Sequence, residues 1–517
     1  MDTEGEIFQF LGEKCGKVSY LSNTRPDNKA YRREVKLDGL HVYPSFTDAH
    51  MHLLYSIVRA ASGFEACEIR DGGVEPNTMD GVASRIRAYC DTRGAGDLVI
   101  ANGYITSAIK EKRLPSRQEL DEWGGGRRTI IYNIDGHSSS LSSSMLQALG
   151  IDPQGHSGVL SGADHEFIQG RITGFVGDSI GIGDIARGIA NFTNECAQFG
   201  ITRVCALDGN GDIPNDKMTK LLATIARRMD IDVFFYPQFM EIEKARPFWK
   251  KTRRRRIGGC GDWEVDGAVG SHSAAFYSPY SDTGEVAGCY YSQDDMDKAV
   301  RRADAEGCQI AVHAIGDAAI DRILEAYVKL GSMTLHRIEH FEFPTDEAVE
   351  KLIAHGNIAL TVQPGFAWID ARYLKSYESY LPQEIASRQA PLKRLYDAGI
   401  AICATSDSPV QSLDPFLQLL GMVDFSVPGQ SLTNYEALCC YIKNPARLLE
   451  HEKAFGTLQV GKEASFFATE TDLTTAGFES LSSAKAVRTY IRGKQLGGKK
   501  GSIPEFLGMM LRRARKI

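Results

Sequence analysis

A chain of 517 residues with 43% hydrophobic and 24% charged residues has the composition of an ordinary globular protein, long enough for one large α/β domain with appendages. A formal net charge of −7 argues against nucleic acid or an anionic membrane surface as partner, because either would repel it at long range. No apolar run of about 18 residues is present, and the start "MDTEGEIFQF" lacks the basic and apolar segments of a secretory signal, so a cytoplasmic protein without a membrane partner is expected. The eleven cysteines are odd in number, without Cys-x-x-Cys spacing, and read as free thiols in a reducing compartment.

In chain order, residues 1–41 read as short strands that join 455–500 in a small β-sandwich domain, with "ASFFATETDL" and "AVRTYIRGKQLG" pairing with the N-terminal strands. The segment 42–52 is apolar and β-branched up to Phe46 and then turns polar, "FTDAHMHL", as a buried strand does where it ends in a site. A long insertion follows, at about 62–200, with apolar runs of its own. Seven further strand-like runs come at 201–208, 230–239, 262–270, 309–317, 335–343, 357–364 and 399–407. Helical patterns separate most of them; "QDDMDKAVRRADAEG" and "DAAIDRILEAYVKLG" each end at a glycine placed to cap a helix. Eight parallel strands with intervening helices predict an α/β fold of the (β/α)8, TIM-like barrel type over 42–454. A basic helix, 501–517, closes the chain. The run "KKTRRRR" (250–256) reads as solvated surface in so acidic a chain. The glycine stretches "DGNGDI" (208–213) and "GDSIGIGDIARG" (177–188) lack the spacing and context of a dinucleotide site, and no phosphate loop is present.

Barrel sites collect at the C-terminal ends of the strands. The polar residues there are Asp48, His50 and His52; Asp208; Asp262, Glu264 and Asp266; His313 and Asp317; His340; Gln363; and Asp407. Residues two apart on a strand share a face, so His50 and His52 project together, as do Asp262, Glu264 and Asp266. Polar groups converging at the end of a buried strand are costly unless something binds them. Imidazole with carboxylate suits a divalent metal, Zn2+ foremost, so His50, His52, His313, His340 and Asp407 are expected to form one metal site.

The stretches "YPSFTDAHMHL", "QIAVHAIGDAAIDRIL", "LHRIEHFEF" and "ATSDSPVQSLDP", with "NIDGHSSSLSSSMLQALGI" and "VDGAVGSHSAAFYSPYSD", resemble the amidohydrolase superfamily. Within it the resemblance is to amidohydrolase family 3, the N-substituted formamide deformylase-like branch, over most of residues 38–470. It implies metal-dependent hydrolysis of a non-peptide C–N bond, amide-type, in a small molecule. His50, His52, His313, His340 and Asp407 would hold the metal, with Asp407 as proton shuttle. His340 would be either a second-metal ligand or the group polarising the scissile carbonyl, and His137, from the insertion, would touch the substrate. The lysine that the branch carries on strand four is Asp262 here, so either Asp262 or Glu264 replaces it as a bridge between two metals, or the site holds one metal, the favoured reading. His272 stands where the branch has arginine and Ser142 where it has asparagine, which points to an altered substrate pocket containing His137, Asp266, His272 and Gln363. A deaminase or cyclic-amide hydrolase of the same superfamily is the alternative, a non-catalytic ligand-binding homologue the third reading, and a homodimer is the assembly entertained.

Overall fold

The computed structural model describes residues 7–27, 31–61, 64–70, 73–209, 217–249, 252 and 254–515. Eight parallel strands carry the site: β1 (Phe46–Met51), β2 (Ile201–Asp208), β3 (Asp232–Pro237), β4 (Arg255–Glu264), β5 (Cys308–Ala314), β6 (His336–His340), β7 (Ile358–Val362) and β8 (Ile402–Ala404). They form two hydrogen-bonded sheets, ordered β3-β2-β1 and β4-β5-β6-β7-β8. At one seam the end of β8 is stitched to β1: the Asp407 amide donates to the His50 carbonyl at 3.1 Å and the His52 amide to the Ser408 carbonyl at 2.8 Å. At the other, β3 lies beside β4 with no ladder among the described residues, and the Met240 amide donates to the Asp262 carboxylate at 3.2 Å. The result is a TIM-barrel-like α/β fold whose strands, covered on both faces, are apolar runs rather than alternating ones.

Local sequence explains most elements. Ser292 caps the helix Gln293–Ala305 through its side chain, and Gly331, at φ 60°, ends the helix Asp317–Leu330 in a left-handed cap that only glycine enters freely. Strand β4 departs from the expected 262–270 and runs over 255–264. Its Gly258 and Gly259 have φ of 100° and 115°, and a Cβ at Gly258 would lie 2.0 Å from the Ala311 carbonyl oxygen. "IGGCGD" has the composition of a loop, yet it is a strand bulged between Gly259 and Glu264, where glycine tolerates the close approach of β5.

The insertion holds its own five-stranded sheet, in which Val99–Tyr104, Thr129–Asn133 and Ser138–Leu141 lie side by side. Its last helix, Ile182–Gln198, packs on the helix Leu53–Ala61 that follows β1, and a Cβ at Gly188 would come within 2.4 Å of the Ile57 carbonyl oxygen. That helix therefore acts as the crossover into β2 and belongs to the barrel layer, so the insertion proper ends before residue 182.

His41–Pro44 runs directly into β1 and pairs antiparallel with Phe466–Thr469, which continues to Arg488–Ile491 and Lys494–Gln495. The hairpin Phe10–Lys14/Lys17–Ser22 touches this region through Val18, whose amide donates to Lys462 at 2.9 Å. The C-terminal helix is shorter than expected, Ile503–Met510; beyond it Arg512 pairs with Asp230 and Arg515 with Asp232. Of "KKTRRRR", residues 250, 251 and 253 lie outside the described residues, as do 210–213 of "DGNGDI". Arg254 and Arg255 pair with Glu450 and Glu306, while Arg256 is buried against the Phe234 ring, 5.1 Å away, so this run is not wholly solvated surface. The cysteines whose side chains are described are unpaired thiols, and no described helix is long and apolar enough to cross a membrane.

Candidate active site

His50 ends β1 fully buried. Its Nδ1 donates to Glu339 Oε2 at 2.5 Å, which fixes the tautomer and leaves Nε2 as the bare nitrogen. His52 does the same against the Leu207 carbonyl at 3.0 Å. Both Nε2 atoms then converge on one oxygen, Asp407 Oδ1, at 3.1 and 3.2 Å. Burial pushes the Asp407 carboxyl up, but the positive charge that His50 and His52 carry when protonated at both nitrogens outweighs it and holds it well below the usual carboxylate range. His340 donates from Nδ1 to Gln363 Oε1 at 2.9 Å, and its ring centre lies 5.1 Å from that of His50. Donor atoms of His50, His340 and Asp407 all lie within 4.8 Å of one another. His340 and Asp407 sit at φ 69° and 56°, left-handed conformations uncommon in non-glycine residues and enriched where a site dictates the backbone.

A second donor group adjoins the first. His137, Glu264 and His313 also offer atoms within 4.8 Å of one another, and the ring centres of His313 and His340 are 4.4 Å apart. His313 Nε2 donates to the Gly267 carbonyl at 3.2 Å, which leaves Nδ1 as its lone-pair nitrogen in the neutral ring. Glu264 Oε1 accepts from the Gly261 amide at 2.8 Å, a contact the β4 bulge makes available. His137 arrives from the insertion loop between Asn133 and Ser138; its Nδ1 donates to Glu166 Oε1 at 2.9 Å. Burial disfavours its charged form, yet Glu166 and Glu264 outweigh that and raise its pKa well above the ordinary value.

Both groups open on a cavity of about 420 Å³ lined by Tyr55, Tyr132, Glu166, Phe167, Tyr290 and Tyr291 among others. A smaller lobe of about 100 Å³, with Ile105, Ile315, Phe366, Leu374, Glu342 and Asp370 in its wall, shares Asp135, His137, His340 and Asp407 with it.

Several expected pocket residues lie elsewhere. Asp266 is fully buried and accepts from the amides of Ala275, Ile315 and Gly316 at 2.9, 3.0 and 2.8 Å; it ties the segment after β4 to the end of β5 and leaves no atom for the cavity. It does not share a direction with Asp262 and Glu264, because β4 ends at Glu264 and the alternation stops there. Burial pushes its pKa up to about 7. His272, at φ 54°, pairs with Asp282 at 2.8 Å and packs between the tilted rings of Tyr280 and Tyr380, outside the wall of either lobe. Gln363 reaches the site through His340 and lines neither lobe. Asp262 does line the larger one. Asp48 holds the Ser406 amide at 3.1 Å and the Thr405 hydroxyl, and so joins β1 to β8. Asp208 caps the helix after β1 through the Leu53 and Leu54 amides at 3.0 and 3.1 Å.

Sequence reasoning passed over Glu339, which binds His50 on one side and the fully buried Arg337 on the other, with a 2.5 Å contact to its Nε. The signal was available: Arg337 and Glu339 are charged residues two apart inside an apolar strand, so both face the same way and must meet partners there. Glu166, by contrast, sits in a helix of the insertion and carried no such signal.

The sequence profile of the amidohydrolase family matches residues 33–496. The chain belongs to that family. It is thus a hydrolase of carbon–nitrogen bonds. Among its relatives, the putative amidohydrolase YtcJ of Bacillus subtilis (strain 168) is 22% identical over 89% of this chain and 90% of its own. The N-substituted formamide deformylase of Arthrobacter pascens is 24% identical over 88% of each. An uncharacterised metal-dependent hydrolase from Pyrococcus horikoshii OT3 shares the fold with a TM-score of 0.69 at 21% identity, over 90% of this chain and 94% of that one.

Proposed function

We propose that this amidohydrolase cleaves an amide-type, non-peptide C–N bond of a small molecule, using divalent metal with zinc the ion its donors suit best. His50, His52, Asp407 and His340 would hold one ion; Glu264, His313 and His137 would hold a second, which widens the one-metal expectation drawn from the sequence. The observation that carries this reading is the convergence of the His50 and His52 Nε2 atoms on Asp407 Oδ1 beside a cavity of small-molecule size. The donor set fits a cation: three of the histidines place their Nδ1 hydrogen on an acceptor, which leaves Nε2 for the site, and no lysine or arginine lines the cavity among the described residues.

Bound metal supplies Lewis acidity, polarising a carbonyl and acidifying water. Asp407, held ionised, accepts a proton from the attacking water and delivers it to the leaving nitrogen, so it serves in turn as base and acid. Glu339 keeps His50 in the tautomer that presents Nε2, and Gln363 does this for His340. Tyr55, Tyr132, Tyr290 and Tyr291 line the larger lobe and would flank a substrate bound there.

Substitution Asp407→Asn tests the reading. The variant should fold and retain bound metal while turnover of any amide substrate falls by roughly 100-fold or more. Undiminished turnover removes Asp407 from the proton path, and wild-type protein that takes up no zinc, iron or manganese from metal-replete medium overturns the metal reading.

A further inference from the structure

Apart from the histidines, the charged residues in the walls of both lobes are all acidic. Asp135, Glu166 and Asp262 line the larger lobe, Glu342 and Asp370 the smaller, and among the described residues no lysine or arginine lines either. None of these five carboxylates belongs to either metal donor group, so metal bound there would leave them in the wall.

Their hydrogen bonds come from uncharged donors or from a histidine already engaged. Asp135 accepts from the His137 amide and the Asn133 side chain, each at 3.0 Å. Glu342 accepts from the Tyr377 hydroxyl at 2.8 Å, and Asp370 from the Ser376 amide at 2.9 Å. Glu166 faces His137, which also lies 4.0 Å from Glu264. A substrate carboxylate is normally met by an arginine or lysine fork. Here it would lose its hydration and face carboxylates instead, whereas an ammonium or a neutral aryl group would find carboxylates and the π faces of tyrosines.

We infer that this site accepts amides whose amine portion is neutral or cationic and turns away those bearing a carboxylate. The inference rests on the amide-hydrolase reading above and names its substrate class.

A matched series decides it: 3-methylformanilide, 3-formamidobenzoate and 3-(aminomethyl)formanilide, equal in ring and scissile bond, with a neutral, an anionic and a cationic group at the meta position. With metal-loaded wild-type protein at pH 7.5, kcat/KM for the benzoate should lie at least about tenfold below that of the neutral member, with the ammonium member equal or better, and added salt should narrow the gap. Asp135→Asn and, separately, Gln169→Arg should each raise the benzoate relative to the neutral compound. Equilibrium binding of the product amines, m-toluidine, 3-aminobenzoate and 3-(aminomethyl)aniline, should follow the same order. Benzoate turnover or 3-aminobenzoate binding equal to the neutral member overturns the inference and leaves the hydrolase reading intact. Absence of turnover throughout, with the binding order kept, counts against amide cleavage as the reaction while keeping the charge preference of the cavity.

Discussion

Around His50 every flanking group is buried: Glu339 and Arg337 are fully inaccessible, the Thr405 hydroxyl accepts from the His50 amide at 2.8 Å, and Asp48 reaches across to β8. Around Glu264 the supports are lighter: a glycine-rich bulged strand, a backbone amide, and a histidine lent by the insertion. The first donor group is thus fixed by the barrel itself. The second exists only when barrel and insertion meet, which makes it the place where pocket and metal number can vary without disturbing the fold.

The largest effect is expected at Glu339. Burial alone would raise this carboxyl, but Arg337 and then His50 bring it down to about 2, so it is an anion between a guanidinium and an imidazole. Glu339→Gln keeps an acceptor for His50 and removes the charge that balances Arg337. Leaving that cation buried and uncompensated should cost about 3–5 kcal/mol of stability. Weakening the carboxylate behind the ligand should lower metal affinity by roughly 10- to 100-fold. Denaturant unfolding and chelator competition measure the two; a variant unchanged in both would remove Glu339 from the support of His50.

Glu264→Ala probes the lighter side. It should unfold at nearly the wild-type denaturant concentration, because loss of the Gly261 amide contact is offset by removal of a buried carboxylate. Metal content should fall by about one equivalent per chain while His50, His52 and Asp407 keep theirs, with turnover reduced by roughly tenfold or more. Unchanged stoichiometry would mean that the site holds a single ion. Loss of all metal would mean that the two donor groups are not independent.

What could be read from the sequence follows the same division. β1, β5, β6 and β8 are apolar runs with histidine or aspartate at their ends, and a buried strand allows few meanings for such residues; their convergence follows once they are placed on a barrel. β4 was displaced because its glycines look like a turn, and the displacement carried Asp266 onto the wrong face by a false extension of alternation. His272 read as a pocket residue because it replaces an arginine in a motif, but its left-handed backbone turns it toward Asp282 and two tyrosines. Glu166 and the tyrosines of the cavity come from helix and loop positions of the insertion, where no period marks which side faces the barrel. Arg337 and Glu339 were legible in principle, since two charges inside "HRIEH" cannot both be solvated in a buried strand.

The smallest predicted effect tests how firmly the β8 side is anchored. Asp414 caps the helix Pro415–Val423, accepting from the Phe416 amide at 2.8 Å, and Phe416 packs edge-on to Phe46 of β1 with ring centres 5.9 Å apart. Burial, opposed by the Phe416 amide, pushes the Asp414 carboxyl up to about 6 from its ordinary 3.8. Between those values the folded state retains a proton that the unfolded chain has released, so stability declines as pH rises through the window and levels off above it. In the variant Asp414→Asn the side chain cannot titrate, and asparagine caps a helix about as well as aspartate. The stability of wild type relative to this variant should therefore fall by about 1 kcal/mol between pH 5 and 6.5 and stay constant from there to pH 8, read as paired denaturation midpoints. A difference independent of pH would place Asp414 in water rather than in the packed seam, and the helix it caps could not then be part of what holds β1 and β8 together.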